Sequence, residues 1–328
     1  MPRLGVLGTM VWDRIHARDR RAEPVEEWGG ISYALAAAAA ARPHDWEIVP
    51  ILKIGSDLAE AALRFLRTLP GVNLEVGVRI VPEPNNRVEL RYIDRDRRCE
   101  RLTGGVPAWS WPELQPLLPE LDALYVNFIS GFELELETAR LLRLGFRGPM
   151  YADLHSLFLG VEPGGDRTPR PLPAWREWLR CFDIVQLNEQ ELGWLADAWG
   201  DPWRLAAEVV GDELRLMLVT LGPRGAAYVA SPAFRPDPLA WRRDGLAVDA
   251  PIGVPGPVRS ERFAPIGGER DGDPTGCGDV WGATCFLHLL AGRPLETAVR
   301  LANSAAARNV EHRGATGLHL FLQGRFET

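Results

Sequence analysis

The sequence predicts an α/β protein, with a mostly parallel central sheet flanked by helices on both faces, in one domain spanning residues 1–328. Three observations predict it. Short apolar runs recur along the chain, segments of helix-forming composition separate them, and Gly or Pro punctuates the joins. Alternation of this kind is the mark of strand–helix–strand crossovers, whose strands are covered on both faces and so read as continuous apolar stretches. Periodicity alone does not separate a buried strand from a buried helix; the shortness of the runs decides for strands.

In chain order, residues 4–8 form the first strand and the alanine-rich stretch 32–41 the first helix, since alanine is the best helix former. A strand at 48–52 leads to a helix at 58–69. Strands at 124–129 and 150–154 enclose a helix at 135–144. A strand at 182–187 precedes a helix at 189–199, and a strand at 216–220 precedes the last helix of this set, 280–290. One region departs from the pattern. Between 74 and 104 apolar and polar residues alternate, which predicts antiparallel strands with one wet face and a hairpin turn at 94–96. This reads as a small β lid over the open end of the main sheet, whose apolar face could also build a homodimer interface. From 231 to 271 the chain is rich in Pro, Gly and Arg, too long for a plain connection.

Composition excludes several classes. Hydrophobic residues at 46% and charged residues at 25% are a globular mix able to bury a core. A net charge of −7 argues against nucleic acid or an anionic membrane as partner. The four cysteines, Cys99, Cys181, Cys277 and Cys285, are far apart, and the six histidines are scattered. Neither a disulfide framework nor a zinc site is expected, and a reducing, cytoplasmic setting is. The chain enters a strand-like run directly, with no signal-peptide pattern and no membrane-length apolar stretch.

The segment richest in chemistry is Asp273-Pro274-Thr275-Gly276-Cys277-Gly278-Asp279, which opens an apolar helix. Gly276 and Gly278 let the backbone turn tightly and approach a ligand. The amides of Gly276, Cys277 and Gly278 would converge at a helix N-terminus and form an anion hole. Asp279 beside that hole could accept a proton from a hydroxyl while the hole holds a transferring phosphoryl group. The plain alternative is an aspartate capping a helix after a glycine turn. Cys277 at such a position could have a lowered thiol pKa, or could simply be a small residue tolerated in the loop.

Asp273–Asp279 resembles the C-terminal D-T-x-G-A-G-D signature of the ribokinase-like (PfkB) carbohydrate kinase family, with Pro274 in the second position and Cys277 in place of alanine. The resemblance spans nearly the whole chain. It implies a ribokinase-like fold and ATP-dependent phosphorylation of a hydroxyl on a sugar, or on a nucleoside, with Asp279 as base. Asn188 and Glu191 resemble the family's N-x-x-E motif, which implies a role with the nucleotide phosphates and, for Glu191, with Mg²⁺ through water; read alone, the pair is a helix cap. Thr220, Gly222 and Gly225 resemble the element that lies along the nucleotide, and Asn303 the stretch that flanks adenine. Asp273, Thr275 and Gly314 resemble a monovalent-cation site, which would take K⁺. Asp13 resembles the aspartate that binds sugar hydroxyls, and Gly29-Gly30 the substrate turn. Ile54-Gly55-Ser56-Asp57 resembles the family's V-G-x-D segment after the second strand.

Departures bear on the substrate. Ala34 stands where relatives carry a sugar-binding asparagine, and Asp153-Leu154-His155-Ser156 stands where they often read D-x-N-x-R. The missing arginine weakens the case for a phosphorylated acceptor. His155 could touch substrate, although a surface or packing role fits it as well, and Trp12 could stack in the sugar pocket. The rival to a kinase is a ligand-binding or regulatory relative that keeps the fold without the chemistry.

Overall fold

The computed structural model describes residues 1–16, 23–92, 98–197, 200–232, 234–241, 256–265 and 272–324. Its strands are β1 (Arg3–Leu7), β2 (Met10–His16), β3 (Val25–Gly30), β4 (Glu47–Gly55), β5 (Val78–Val81), β6 (Arg87–Tyr92), β7 (Arg98–Thr103) and β8 (Ala123–Asn127). They continue with β9 (Met150–Asp153), β10 (Leu159–Val161), β11 (Arg167–Pro169), β12 (Ile184–Asn188), β13 (Leu216–Thr220), β14 (Ala226–Ala230) and β15 (Arg259–Phe263). The helices are α1 (Ile31–Ala41), α2 (Ala59–Thr68), α3 (Trp111–Leu114), α4 (Leu136–Gly145) and α5 (Trp175–Arg180). The remaining five are α6 (Glu189–Leu195), α7 (Pro202–Asp212), α8 (Cys277–Leu290), α9 (Leu295–Asn309) and α10 (Leu318–Leu322).

The expected α/β architecture is present. A nine-stranded sheet runs β15-β14-β13-β12-β9-β8-β1-β4-β5, with parallel pairing from β13 to β5 and an antiparallel edge at β14. Successive strand residues point to opposite faces, and the core divides accordingly. Leu4, Val6, Ile48, Tyr125 and Tyr151 pack with α1, α8 and α9. Leu7, Val49, Leu124, Val126 and Ala152 pack with α4, α5, α6 and α7. Both faces being covered explains why these strands read as unbroken apolar runs. The alanines of α1 are buried along its length and let α8 lie close beside it.

The lid differs from the expectation. It is a four-stranded sheet ordered β3-β2-β6-β7, so half of it comes from residues 10–30 rather than from 74–104. The apolar–polar alternation of β5 belongs instead to the edge of the main sheet, where it pairs parallel to β4. The anticipated turn at 94–96 lies outside the described residues, as does most of 231–271. Val11, Ile15, Val88, Leu90 and Leu102 form the lid's apolar face and pack with Ile129 within the chain, so that face is already covered. Two clasps fix the lid. Asp57 accepts the Asn85 amide at 2.7 Å and the Arg87 guanidinium at 2.6 Å. The β10–β11 hairpin meets β7 through the Leu102 amide and the Gly165 carbonyl at 2.8 Å. Among the described residues no helix is long and apolar enough to cross a membrane.

Candidate active site

The parallel strands end at a polar edge. Asn127 of β8 lies opposite Asp153 of β9, Asp153 opposite Gln186 of β12, and Asn188 of β12 opposite Thr220 of β13. The carboxyl edge of such a sheet is where open α/β folds place ligands. The head of α8 sits against it.

The approach to α8 is locked by local chemistry. Asp273 accepts the amide and hydroxyl of Thr275 at 2.9 and 2.6 Å, which folds the turn. Asn309 donates to the Thr275 carbonyl at 2.8 Å from below. Gly276 has φ +76°, and a Cβ there would lie 2.3 Å from the Tyr33 ring, so only glycine fits. Val280 then opens the helix on the Gly276 carbonyl at 2.9 Å. The anion hole differs from the expected trio. The Cys277 amide donates to the Pro274 carbonyl at 3.1 Å, closing the turn. Among the described residues the amides of Gly276 and Gly278 have no backbone acceptor. The Cys277 thiol is not lowered; burial pushes it up to about 11, against the opposing hydrogen bond from Asn309.

Asp279, half-buried in the first turn, accepts Asn127 Nδ2 on Oδ1 at 2.6 Å. Asp153 is its carboxyl neighbour. It accepts Gln186 Nε2 at 2.8 Å and the His155 amide at 3.1 Å. Burial first, and the Asp279 charge second, push Asp153 up to about 8, so it holds a proton at neutral pH.

Asn188 and Glu191 form the capping box that the spacing alone suggested. Glu191 accepts the Asn188 amide at 2.8 Å and Asn188 Nδ2 at 2.5 Å, while its own amide donates to Asn188 Oδ1 at 2.9 Å. His155, for which the sequence leaves substrate contact or a surface or packing role, donates Nδ1–H to the same carboxylate at 2.5 Å. Desolvation pulls His155 down, but the Glu191 charge and hydrogen bond outweigh it and raise it to about 9. The ring is 46% exposed, so solvent screens part of that pairing and the direction rests on the contact itself. Glu191 is 2% exposed and three N–H groups surround it. That donor set fits an outer-sphere contact to a hydrated Mg²⁺ held by phosphates, not a direct ligand. Among the described residues no cluster of three His, Cys, Asp or Glu could hold a metal by itself.

Thr220, Gly222 and Gly225 form the turn after β13. A Cβ on Gly225 would lie 2.0 Å from the Phe263 carbonyl, whereas the space beside Gly222 is open. Asn303 is held within the fold: it accepts the Trp281 indole at 2.7 Å and donates to the Ala264 carbonyl at 3.3 Å. The donors suggested for K⁺ are partly engaged, Asp273 by Thr275 and the Thr275 carbonyl by Asn309. The Glu27 side chain lies over Gly314 and accepts the Thr316 hydroxyl at 2.7 Å.

A second polar region forms where the lid meets α1. Asp13 lies on β2, 4% exposed, and a Cβ on Gly29 would lie 1.7 Å from its carboxylate. Gly29 therefore makes room for Asp13, and Gly30, at φ +60°, caps α1. Trp12 meets Trp28 edge-on at 5.0 Å. Tyr33 is buried against Gly276; burial first, and then the charges of Asp13, Asp273, Asp279 and Glu27, raise its hydroxyl pKa. Asp13 and Asp279, 266 positions apart in the chain, thus both neighbour one ring. Asn127, Gln186 and Tyr33 escaped the sequence reading. The one available signal was a polar residue interrupting an apolar strand, as in ALYVN and IVQLN.

The layers, the lid and the polar carboxyl edge define a lidded, open α/β fold. No protein-family model matches the chain, and no curated protein matches it by sequence. Solved structures do match. A ribokinase of Arabidopsis thaliana complexed with ribose and ATP is 16% identical, with TM-score 0.68 over 99% of each chain. A nucleoside kinase of Burkholderia thailandensis in complex with inosine is 18% identical, with TM-score 0.67 over 97% of this chain and 94% of that one. A pyrophosphate-dependent kinase in the ribokinase family, complexed with a pyrophosphate analog and myo-inositol, is 15% identical, with TM-score 0.70 over 98% and 99%. The chain has the ribokinase fold.

Proposed function

We propose that this chain belongs to the ribokinase-like kinases and transfers a phosphoryl group from ATP to a hydroxyl of a sugar or nucleoside, with Asp279 as general base. One observation carries the reading. A carboxylate fixed through one oxygen by Asn127 at 2.6 Å stands at the head of α8, beside two glycine amides without backbone acceptors. Asp279 takes the hydroxyl proton as the acceptor oxygen attacks the γ-phosphorus and the bond to the β-phosphate breaks. The amides of Gly276 and Gly278, with the positive end of α8, meet the charge on the phosphoryl oxygens. Mg²⁺ bound with the triphosphate would neutralise further charge, with Glu191 reaching it through water. Thr220 and Gly222 line the nucleotide's path, and Gly225 holds their turn.

Asp13 accepts hydroxyls of the acceptor beside the bare backbone of Gly29-Gly30. With Ala34 in place of an asparagine, Asp13 is the main polar contact on that side. The lid excludes water from the transfer. A nucleoside is the second reading for the acceptor, favoured by the likeness to the inosine-bound kinase. A cytoplasmic setting suits the ATP requirement.

The test is ADP release from MgATP with ribose, inosine and myo-inositol as acceptors, with pyrophosphate as donor in parallel. One acceptor should accelerate ATP consumption, and Asp279→Asn should slow it by about 100-fold or more. Equal turnover by the two proteins would overturn the proposal.

A further inference from the structure

The chain holds 37 lysines and arginines together, and a single one of them, Lys53, is lysine. It stands two positions before the carboxyl end of β4 and is 5% exposed. Its ammonium donates to the Ala108 carbonyl at 2.8 Å, pairs with Glu113 at 2.7 Å and lies 4.9 Å from the centre of the Trp109 ring. An ammonium has three N–H donors, so one of them has no acceptor among the described residues. Lys53 lines a small cleft at the carboxyl edge of the sheet with Thr9, Val106, Phe132 and Glu133. The cleft has room for a single small polar group. Its other polar walls already have their protons placed. Glu133, 3% exposed, accepts the Thr9 and Ser130 hydroxyls at 2.8 Å each, and the amides of Ile129, Ser130 and Gly131 at 2.9, 2.6 and 3.0 Å. Thr9 gives its hydroxyl proton to Glu133, so its oxygen has only acceptor capacity left.

The cleft adjoins the Gly29-Gly30 turn. The Thr9 carbonyl takes the Ile31 amide at 3.1 Å and lies 2.7 Å from where a Cβ on Gly30 would stand. Asn86 joins the cleft wall to the strand of Asp13: its Oδ1 accepts the Val106 amide at 3.2 Å, and its carbonyl accepts the Trp12 amide at 3.0 Å. The Val106 contact fixes the orientation of the Asn86 amide. Asn86 is 1% exposed, and its Nδ2 is buried without a partner among the described residues. We infer that the cleft is an acceptor subsite, in which Lys53 donates to a hydroxyl of the acceptor other than the one phosphorylated. The inference rests on the reading of Asp13 and Gly29-Gly30 as the acceptor side. Charge selects the group. Glu113 already offsets the Lys53 ammonium, and Glu133 adds a buried carboxylate to the wall, so an anion is disfavoured there. A cation would face Lys53. A hydroxyl fits both walls: its oxygen accepts from Lys53, and its proton goes to the Thr9 hydroxyl oxygen. The lysine suits the place, since a compact ammonium leaves the cleft open, whereas the broad planar guanidinium of an arginine would fill it. The acceptor is therefore a neutral polyol, free or as the sugar of a nucleoside, and not a sugar acid.

Because Lys53 is the only lysine, acetylation with an N-hydroxysuccinimide ester marks Lys53 and the terminal amine alone, and peptide mass spectrometry reads the two separately. The full-length wild-type chain is labelled by itself and with ribose, inosine, myo-inositol or gluconate. At least one of the three neutral polyols should slow labelling of Lys53 by about fivefold or more and leave the terminal amine unchanged, and gluconate should not. Lys53→Met, similar in length and without charge, should raise KM for that polyol by about 10-fold or more, as the loss of one hydrogen bond from a charged donor does. Its KM for ATP should stay within about threefold. Lys53→Arg should raise KM for the polyol as well, since the guanidinium occupies the cleft. Full recovery by arginine would reduce Lys53 to a charge that holds Glu113, and would overturn the inference. So would a Lys53 that does not label, labelling that no polyol slows, or labelling that gluconate alone slows. Protection reports binding without turnover. If Asp13→Asn kept it at wild-type polyol concentrations, the reading of Asp13 would fail and the cleft would stand. Should the Lys53 variants fail to fold, labelling of the wild type decides alone.

Discussion

The two sides of the site meet across Tyr33 and are built by opposite means. The head of α8 is local: within seven residues, Asp273 folds the turn on Thr275, Gly276 supplies the left-handed step, and Asp279 follows in the first helical turn. The Asp13 side, where the acceptor is proposed to bind, is assembled from distance. Asp13 reaches it from a lid strand, Gly29 and Gly30 from the next strand, and the lid itself is clasped by Asp57 and by the β10–β11 hairpin. On the proposed function, phosphoryl transfer needs one fixed geometry whatever the acceptor, and a short rigid motif would provide it. Acceptor choice would then rest on long-range contacts, which can change without disturbing the motif.

Gly276→Ala breaks the local side most severely. Alanine at φ +76° is strained, and its Cβ would fall 2.3 Å from Tyr33. Transfer should drop by about 100-fold, since small displacements of a catalytic group cost that much, and stability should fall by roughly 2–4 kcal/mol. Adding Tyr33→Ala should recover part of the stability, which thermal melts of the single and double variants would read as coupling. Strictly additive losses would contradict the contact.

Asp13→Asn acts on the other side. On the proposed function it removes charge-assisted hydrogen bonds to acceptor hydroxyls, each contributing on the order of 2 kcal/mol. KM for the acceptor should rise by about 10-fold or more while KM for ATP stays unchanged, as steady-state kinetics would show. A selective rise in KM for ATP would erase the division between the two sides.

The smallest effect is on stability. Asp153 has a folded-state pKa of about 8, against roughly 4 for an unfolded aspartate. The native state therefore keeps a proton that the unfolded chain releases. The contribution is fully present below about pH 4 and is lost as pH rises toward 8. Asp153→Asn should melt close to wild type near pH 4 and above it by a margin that grows to pH 8, on the order of several degrees. A margin that does not vary with pH would mean that Asp153 is ionised in the native state.

The same contrast explains what could be read from the sequence. The α8 turn was legible because its residues are consecutive, and the alanine helix because composition alone makes it one. The site's wider frame was not. Asn127 meets Asp279 across 152 positions and His155 meets Glu191 across 36, and no local pattern announces either pairing. Half the lid was missed because the alternation that predicts it lies between 74 and 104, whereas β2 and β3 come from residues 10–30. The period-2 pattern of β5 was visible, but pattern does not say which sheet a strand joins. The Cys277 amide was counted in the anion hole because spacing placed it there; only coordinates reveal the Pro274 carbonyl that takes it.

Single-turnover transfer at saturating ATP, set beside calorimetric ATP affinity for wild type and Asp279→Asn, tests the central claim most directly. The account predicts ATP affinity within about threefold and a transfer step slowed by 100-fold or more. A transfer step as fast as wild type, at equal ATP affinity, would contradict it.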